Sequence, residues 1–268
     1  MTFNPYIIYG KYFLGLAAAV PTFLAAKHVW DVYRRVSNVP RPRVVEKNGV
    51  SESFRKSHTL ESLVNPRHHL FVGDTRYVDL FLSQHVEDET ILAAFVGGFF
   101  GGKVFVPERM ALEIVGKRFT FFSGLGPEDD IDRISKNSDV PSGHLPTLRA
   151  MLFGVFQVSH IHIDEDAASG ETASSIDFVY GSDQGRFAGA HRFSIIRDRS
   201  QPKAVRVVFE SASCNPTQNR PFAPAFLFSF HRLYAMLLFR QSTASILDVL
   251  NHGTSTAVTF EDRENVSR

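Results

Sequence analysis

The chain has 268 residues, with 29 Lys and Arg against 28 Asp and Glu and a single cysteine. Its 44% hydrophobic and 21% charged residues fit a globular protein and exclude a disordered, collagen-like or coiled-coil chain. The net charge of +1 gives no basic domain for nucleic-acid binding, and one cysteine forms no internal disulfide. The 25 Phe residues represent an unusual amount of rigid apolar surface that has to be buried.

The N-terminal segment predicts a membrane anchor. Residues 6–26 carry one charged side chain, Lys11. At about 1.5 Å per residue this span is roughly 31 Å long, enough to cross a bilayer core of about 30 Å. Lys27, Arg34 and Arg35 follow it, so the positive-inside rule predicts a single-pass membrane protein with a cytosolic body, on the endoplasmic reticulum in a eukaryote. A signal peptide cleaved after residues 17–19 and a buried or interfacial helix are the alternatives.

The rest of the chain divides into a basic and polar linker over 31–70, a folded domain over 71–250 and a polar tail over 251–268. The domain begins with a predicted strand over 77–84 and two helices, the second opened by Pro107. A strand over 117–122 and a long polar loop over 123–147 follow. The remaining elements are strands over 153–163, 174–181, 187–196 and 204–211, then a helix over 225–250.

This order of elements predicts the fold class. A strand, a helix pair, an antiparallel meander and a long C-terminal helix make an α+β protein in which a curved antiparallel sheet wraps the last helix. That arrangement is the helix grip, and it leaves room for a cavity between sheet and helix. An N-terminal transmembrane helix would precede it.

One stretch of the domain resembles a known family. The segment FVYGSDQGRFAGAHRFSI has glycines at 181, 185 and 189 with Phe193 behind them, and a helix containing LYAMLLFRQS follows. Over residues 178–241 this resembles the C-terminal half of an uncharacterised bacterial and plant family. That family is similar to the START-like, birch-pollen-allergen-like superfamily of helix-grip ligand binders. The resemblance implies a cavity for a small apolar molecule and supplies no catalytic residues.

Three motif-based chemistries find little support. His160 and His162 project from one face of a strand as two metal ligands would, but Glu165 follows too closely for a cupin site, so a solvent-facing His pair is favoured. Residues 97–102, GGFFGG, lack GxGxxG spacing and a following Lys-Ser/Thr, which favours a structural role in close helix packing over phosphate binding. No G-x-S-x-G pentapeptide exists for a nucleophilic serine. We expect no metal and no cofactor.

The inward faces of three predicted strands give a more coherent signal. Each face is apolar with an occasional polar group, as in a small-molecule site, although a filled core would show the same rows. The candidate catalytic residues are Tyr180 and His191. The candidate substrate-binding residues are Phe178, Phe193, Phe209 and Ser211.

These features predict a membrane-anchored, cofactor-independent cyclase or isomerase that acts on an apolar metabolite in natural-product biosynthesis. Its build is similar to that of small cofactor-free cyclases, including Diels–Alderases, and its neighbours would be membrane-bound oxygenases of the same pathway. The alternative is a non-enzymatic lipid or sterol carrier tethered to a membrane. A third possibility is a structural membrane protein with a filled core.

Overall fold

The chain has an α+β architecture in which one large curved mixed sheet is covered by helices. The computed structural model describes residues 22–115, 120–125, 131–141, 143–164, 171–198, 200–201, 203–221, 224–253 and 258–260. The helices are α1 over residues 22–37, α2 (Glu52–Arg55), α3 (Asp88–Gly101), α4 (Val106–Val115) and α5 (Ala225–Gly253), with a π-helical turn at Thr59–Val64. The strands are β1 (Val45–Asn48), β2 (Phe71–Leu82), β3 (Arg133–Ile134), β4 (Met151–Leu152), β5 (Phe156–His162), β6 (Glu171–Gly181), β7 (Ala188–Asp198), β8 (Ala204–Cys214) and β9 (Val258–Phe260).

The described strands run in the order β1-β2-β8-β7-β6-β5-β4-β3, and β9 pairs with β2. Strands β5 to β8 form the antiparallel meander that the sequence predicts. Strand β2 pairs along its length with β8, so the first and last long strands in sequence are neighbours in the sheet. Strands β3 and β4 pair in parallel, which makes the sheet mixed.

The middle of the concave face is a packed aromatic core. The strand register sets Phe193 of β7 beside Phe209 of β8, and Phe95 of α3 meets the Phe193 ring edge-on at 5.1 Å. Phe99 lies 5.0 Å from the same ring, and edge-to-face contacts of this kind add to the burial of apolar area. This core accounts for much of the phenylalanine excess. Its fully buried phenylalanines are Phe95, Phe99, Phe100, Phe105, Phe178, Phe193, Phe209 and Phe239.

The glycine-rich residues 97–102 let α3 pack closely against α5, and α3 ends within them. Gln241 of α5 donates from Nε2 to the carbonyl of Gly98 at 3.0 Å and accepts from the backbone N–H of Val104 at 2.8 Å. A Cβ at Gly102 would lie 1.5 Å from Gln241 Nε2 and 2.3 Å from the Gly98 carbonyl oxygen. The run therefore permits a close helix contact and a break before α4, as the sequence predicts.

Replacing Gly102 with Ala is expected to lower the free energy of unfolding by about 1–3 kcal/mol, because the added methyl overpacks a closed contact. The matched control is Gly97→Ala. Of the described atoms, its Cβ would meet the Pro141 carbonyl oxygen at 3.5 Å, an ordinary contact, and alanine favours the helix by up to about 1 kcal/mol. Urea unfolding monitored by circular dichroism measures both variants. Equal stability of the two would contradict the contact.

The structure differs from the predicted linker and strand boundaries. Residues 31–70 contain β1, paired with β2, and two short helical segments whose Phe54, Leu60 and Leu63 pack on the convex face of the sheet. Strand β2 begins at Phe71, six residues before the predicted start, because β1 and β8 pair with that early segment. The tail contributes β9. The elements within 31–70 are too short to show a hydrophobic periodicity in the sequence, and they are stabilised by tertiary pairing and packing.

The predicted membrane span lies mostly outside the described residues, which begin at residue 22. Among the described residues, no single helix has the length and apolar character required to cross a membrane. The pair formed by α3 and the α4 residues up to Glu113 meets that criterion together, with a bend of 64°. Most of α3 is buried inside the body, a pattern that a core helix also shows. The described helix α1 exposes Phe23, Trp30 and Tyr33.

Candidate functional site

A cavity of about 430 Å³ lies at one end of the concave face. The ends of β2, β6, β7 and β8 form one wall, and α4 and α5 form the other. Val72, Phe187 and Phe230 line this cavity and are also 40%, 40% and 66% exposed, so the cavity opens to the surface through an apolar rim. Its volume falls within the range of about 300–1,000 Å³ that is usual for small-molecule sites.

Small side chains create this cavity. The register aligns Ser213 with Gly189 and Val72, and Ser211 with His191 and Asp74, on the inner face. One row further along the sheet, Phe209 of β8 and Phe193 of β7 fill the space beside Arg76 of β2. The concave face is therefore a solid core in the middle and an open site at one end.

Gly189 has a specific role in this wall. A Cβ at this position would lie 2.5 Å from two ring carbons of Tyr180, its cross-strand neighbour. The absence of a side chain lets the Tyr180 ring lie flat across β7. Glycine is thus required here by close approach of a ring.

The structure places the six predicted site residues in two groups. Tyr180, His191, Phe209 and Ser211 line the cavity. Phe178 and Phe193 are fully buried in the aromatic core behind it and do not line it. All six belong to the inner face, because the strand alternation is as predicted. The core–cavity boundary falls between neighbouring rows of that face.

The sheet wall holds two titratable groups in a largely apolar setting. The Tyr180 hydroxyl lies 2.9 Å from Ser213 Oγ, and burial raises the pKa of Tyr180 to about 12. Burial also lowers the pKa of His191 well below its usual value, and His231 and Arg76 act in the same direction. His191 is therefore neutral at physiological pH. Its ring centroid lies 4.7 Å from that of Tyr180.

The helix wall supplies a second polar pair, Glu108 of α4 and Tyr234 of α5. The Tyr234 hydroxyl donates a hydrogen bond of 2.8 Å to Glu108 Oε2. Burial raises the pKa of Glu108, while the hydrogen bond from Tyr234 opposes that rise. The pKa of Tyr234 is raised by burial and by the neighbouring carboxyl. Both residues line the cavity, facing the sheet.

An ion pair lies at the edge of the cavity on β2. Nη1 of the fully buried Arg76 is 2.9 Å from Oδ2 of Asp74, near enough for an ion pair although not aligned as a hydrogen bond. Arg76 Nη2 donates to Glu46 Oε1 and to the Arg232 carbonyl, each at 3.0 Å. Asp74 lines the cavity. Burial lowers the pKa of the adjacent His231, an effect that Asp74 opposes and Arg76 reinforces.

Among the described residues, Nδ1 of His191 and Oδ1 of Asp74 line the cavity without a hydrogen-bond partner, and Nε and Nη1 of Arg76 at its edge also lack one. A buried unsatisfied polar atom costs about 1–3 kcal/mol, and such atoms call for an explanation such as a binding or catalytic role. Their coincidence in one cavity is more typical of a ligand site than of a filled core.

Sequence reasoning missed Glu108, Tyr234, His231 and Asp74 as site residues. Asp74 was not assigned to a strand face because the predicted strand began at residue 77, three residues after it. Had the strand been extended, the alternation would have put Asp74 and Arg76 on the same face as Val78, an unusual pair of charges on an apolar row. No local signal marks Glu108, since its partner Tyr234 is 126 residues away in sequence.

The alternative chemistries gain no geometric support. His160 and His162 are both exposed, with ring centroids 6.5 Å apart, and Glu165 lies outside the described residues. No group of three or more potential metal ligands occurs within the described ranges. In the row Asp74–Ser211–His191 the serine lies between the other two, so the carboxylate does not orient the histidine as a hydrolase triad requires.

Comparison with known proteins does not identify a family or a function for this chain. No protein-family model matches the chain, and no curated protein matches it. A crystal structure of a hypothetical protein from Helicobacter pylori matches with a TM-score of 0.22 and 10% identity. That match covers 38% of this chain and 63% of the other, so less than two thirds of that protein is spanned. A similarity this small carries no argument about fold or function, and the residues of the cavity remain the basis for any functional assignment.

Proposed function

We propose that this chain is a helix-grip protein that binds an apolar small molecule in the cavity and converts it without a cofactor, as a cyclase or isomerase. The connectivity supports the helix-grip assignment. Strand β2 precedes two helices, the meander β5 to β8 follows, and β2 closes onto β8 before the long helix α5. The sheet of described strands is open, α3 packs on its central strands and against α5, and the N-terminal part of α5 lines the cavity at one end.

The observation that carries the proposal is the apolar cavity with polar groups converging from both walls. Tyr180 and His191 face it from the sheet, and Glu108 and Tyr234 face it from the helices. A mostly apolar pocket with a few placed polar groups is the usual form of a small-molecule site. Phe209 and the aromatic rim supply the apolar contact area.

The catalytic role proposed for this site is substrate folding and polarisation. A flexible apolar substrate held in one reactive conformer gains rate because its reacting atoms stay in contact, a contribution of up to about 7–11 kcal/mol in well-oriented systems. The Tyr180 hydroxyl retains its proton because its pKa is high, so it can donate a hydrogen bond to a substrate oxygen. Ser211 and Ser213 hold it in place from β8.

The proposal includes attachment to a membrane through residues 6–26, with the body on the cytosolic side beside membrane-bound oxygenases that make the substrate. The sequence of that segment supports it, together with the exposed Trp30 and Tyr33 on α1, since these residue types concentrate at bilayer interfaces. The exposed apolar rim of the cavity would suit a substrate that arrives from a lipid phase.

The second candidate function is a lipid or sterol carrier, which the apolar rim and open cavity also favour. A carrier returns its ligand chemically unchanged, whereas a cyclase or isomerase converts it without added cofactor. The polar groups on two opposite walls favour the enzyme, since a carrier needs few of them.

We expect a small apolar metabolite to co-purify with the full chain and to be identified by mass spectrometry of an organic extract. The purified protein should then convert that metabolite or its precursor. Tyr180→Phe should slow conversion by about 10-fold or more, in line with the loss of one transition-state hydrogen bond worth about 1.4 kcal/mol. Recovery of an unchanged ligand with unaltered rates in Tyr180→Phe would favour the carrier, and failure to bind any apolar compound would refute both.

A further inference from the structure

One wall of the cavity carries a side chain suited to donate a proton, and the other wall carries a side chain suited to accept one. Glu108 lies on the helix wall, where its carboxyl is held by the Tyr234 hydroxyl at 2.8 Å. His191 lies on the sheet wall, among the rings of Phe99, Phe156 and Phe209. A ligand filling the cavity would contact both at once.

Glu108 is suited to donate a proton. Its carboxyl is removed from water by α5 and the apolar lining, so burial favours the protonated form and raises the pKa. Among the described residues, the titratable group that contacts it is Tyr234, whose hydroxyl holds Oε2 and leaves Oε1 to meet a ligand. Burial therefore keeps an acid inside the cavity at a pH where exposed glutamates have lost their proton.

His191 is suited to accept a proton. Burial keeps its imidazole neutral, and a neutral imidazole always has one nitrogen with a free lone pair. The charged and titratable groups facing it are Tyr180 from β6, Asp74 and Arg76 from β2, and His231 from α5. None of these donates a hydrogen bond to Nδ1.

We propose that Glu108 and His191 form an acid–base pair across the cavity that moves a proton along an apolar β,γ-unsaturated ketone, shifting its double bond into conjugation. This inference rests on the proposed function and names its substrate class and its proton-transfer groups. Glu108 would be the acid at the carbonyl oxygen, and His191 the base at carbon. Tyr234 would be a positioning residue for Glu108.

The step balances without an oxidant or reductant. His191 takes the proton from the carbon between the carbonyl and the double bond, and the C–H electron pair becomes a new C=C bond. Glu108 gives its proton to the carbonyl oxygen, so the intermediate is a neutral dienol. The dienol O–H proton then returns to Glu108 while the imidazolium gives its proton to the γ-carbon. Enzyme and charges are restored, and the product is the α,β-unsaturated ketone.

The test uses the full chain and three β,γ-unsaturated ketones of increasing size: cyclohex-3-enone, a bicyclic decalin analogue and androst-5-ene-3,17-dione. Conjugation is followed by ultraviolet absorbance. Conversion of at least one ketone above the buffer rate is expected. Glu108→Gln and His191→Phe should each reduce kcat by about 10²–10⁴-fold, the usual contribution of a general acid or base. The controls are Glu113→Gln and His162→Phe, which are exposed and should retain wild-type rates.

The pH profile separates proton transfer from mere packing. Activity needs neutral His191 and protonated Glu108, so kcat/KM should fall on the acid side as His191 gains a proton and on the alkaline side as Glu108 loses one. The alkaline limb should disappear from the residual activity of Glu108→Gln. In Tyr234→Phe it should move to higher pH, because the Tyr234 hydrogen bond lowers the pKa of Glu108.

Failure of this inference is distinguishable from failure of the proposed function. Binding of the neutral fluorescent probe N-phenyl-1-naphthylamine reports the cavity alone and also confirms that each variant is folded. If the probe binds and none of the ketones is converted, or if both variants keep wild-type rates, the acid–base pair is refuted and the ligand site stands. If the probe does not bind, the proposed function itself fails.

Discussion

The variant Ala235→Phe is expected to reduce the affinity for an apolar ligand by at least about 100-fold, or roughly 2.8 kcal/mol, while the protein stays folded. Ala235 is a buried residue of α5 that lines the cavity. A phenyl ring at this position would occupy the space of the ligand without removing any hydrogen bond. The intrinsic cost in the helix is below about 0.7 kcal/mol. Titration with N-phenyl-1-naphthylamine measures the affinity, and circular dichroism checks the fold.

The matched control is Leu233→Phe, two residues earlier on the same helix. Leu233 is 63% exposed and does not line the cavity, so its variant should bind the probe as tightly as the wild type. Unchanged binding in Ala235→Phe would mean that the probe occupies another surface, and it would remove the cavity as the ligand site.

The variant Arg192→Leu is expected to lower the free energy of unfolding by about 3–5 kcal/mol, the usual loss when one partner of a buried ion pair is removed. Arg192 Nε and Nη2 donate to the two oxygens of Asp177 at 2.7 and 2.8 Å, and the guanidinium lies 4.5 Å from the Phe54 ring centroid. Thr59 Oγ1 also donates to Asp177 at 2.7 Å. This network fixes the short helical segments to the convex face. Without Arg192, the hydroxyl of Thr59 is the described side-chain donor that remains to the fully buried Asp177 carboxyl.

The matched control is Arg206→Leu, on the convex face of the neighbouring strand. Arg206 makes the same kind of pair with Asp79 at 2.6 Å and lies 4.5 Å from the Tyr77 ring centroid, but its side chain is 47% exposed. An exposed pair contributes about 0–1 kcal/mol. Urea unfolding of both variants measures the contrast. Comparable losses would show that burial does not control the strength of these pairs.

A double variant, Asp177→Leu with Arg192→Leu, tests the cause of the loss. Replacing both partners of a buried pair with apolar residues is often neutral or stabilising, whereas removing one leaves a charge uncompensated. We therefore expect the double variant to recover most of the stability lost in Arg192→Leu. A double variant as unstable as the single one would assign the loss to packing of the Arg192 side chain on Phe54.

Local patterns predicted the meander and its faces well. Strands β6, β7 and β8 lie within a few residues of their predicted positions, and the inner faces carrying Tyr180, His191 and Ser211 are those that alternation assigns. Helix α5 likewise begins at its predicted residue. Alternation and helical periodicity depend only on residues close together in sequence, so both patterns can be recognised without knowledge of the fold.

The same local reasoning did not reach elements stabilised by partners distant in sequence. Strand β1 is four residues long and exists through its pairing with β2, and β9 pairs with β2 from the opposite end of the chain. The early part of β2, with Asp74 in it, is likewise defined by β8. Strand propensity alone is a weak guide in such segments, because pairing and burial decide them.

The sequence by itself determined the α+β class, the order of the main elements and the face of each strand that turns inward. Only the tertiary structure decided that the phenylalanines fill the middle of that face while Ser211, Ser213 and Gly189 leave a cavity at its end. It also placed Glu108 of α4 and His191 of β7 in the lining of one cavity. The physical reason is that periodicity is set by adjacent residues, whereas a cavity is set by the combined volumes of side chains from several strands and helices that meet only when the chain is folded.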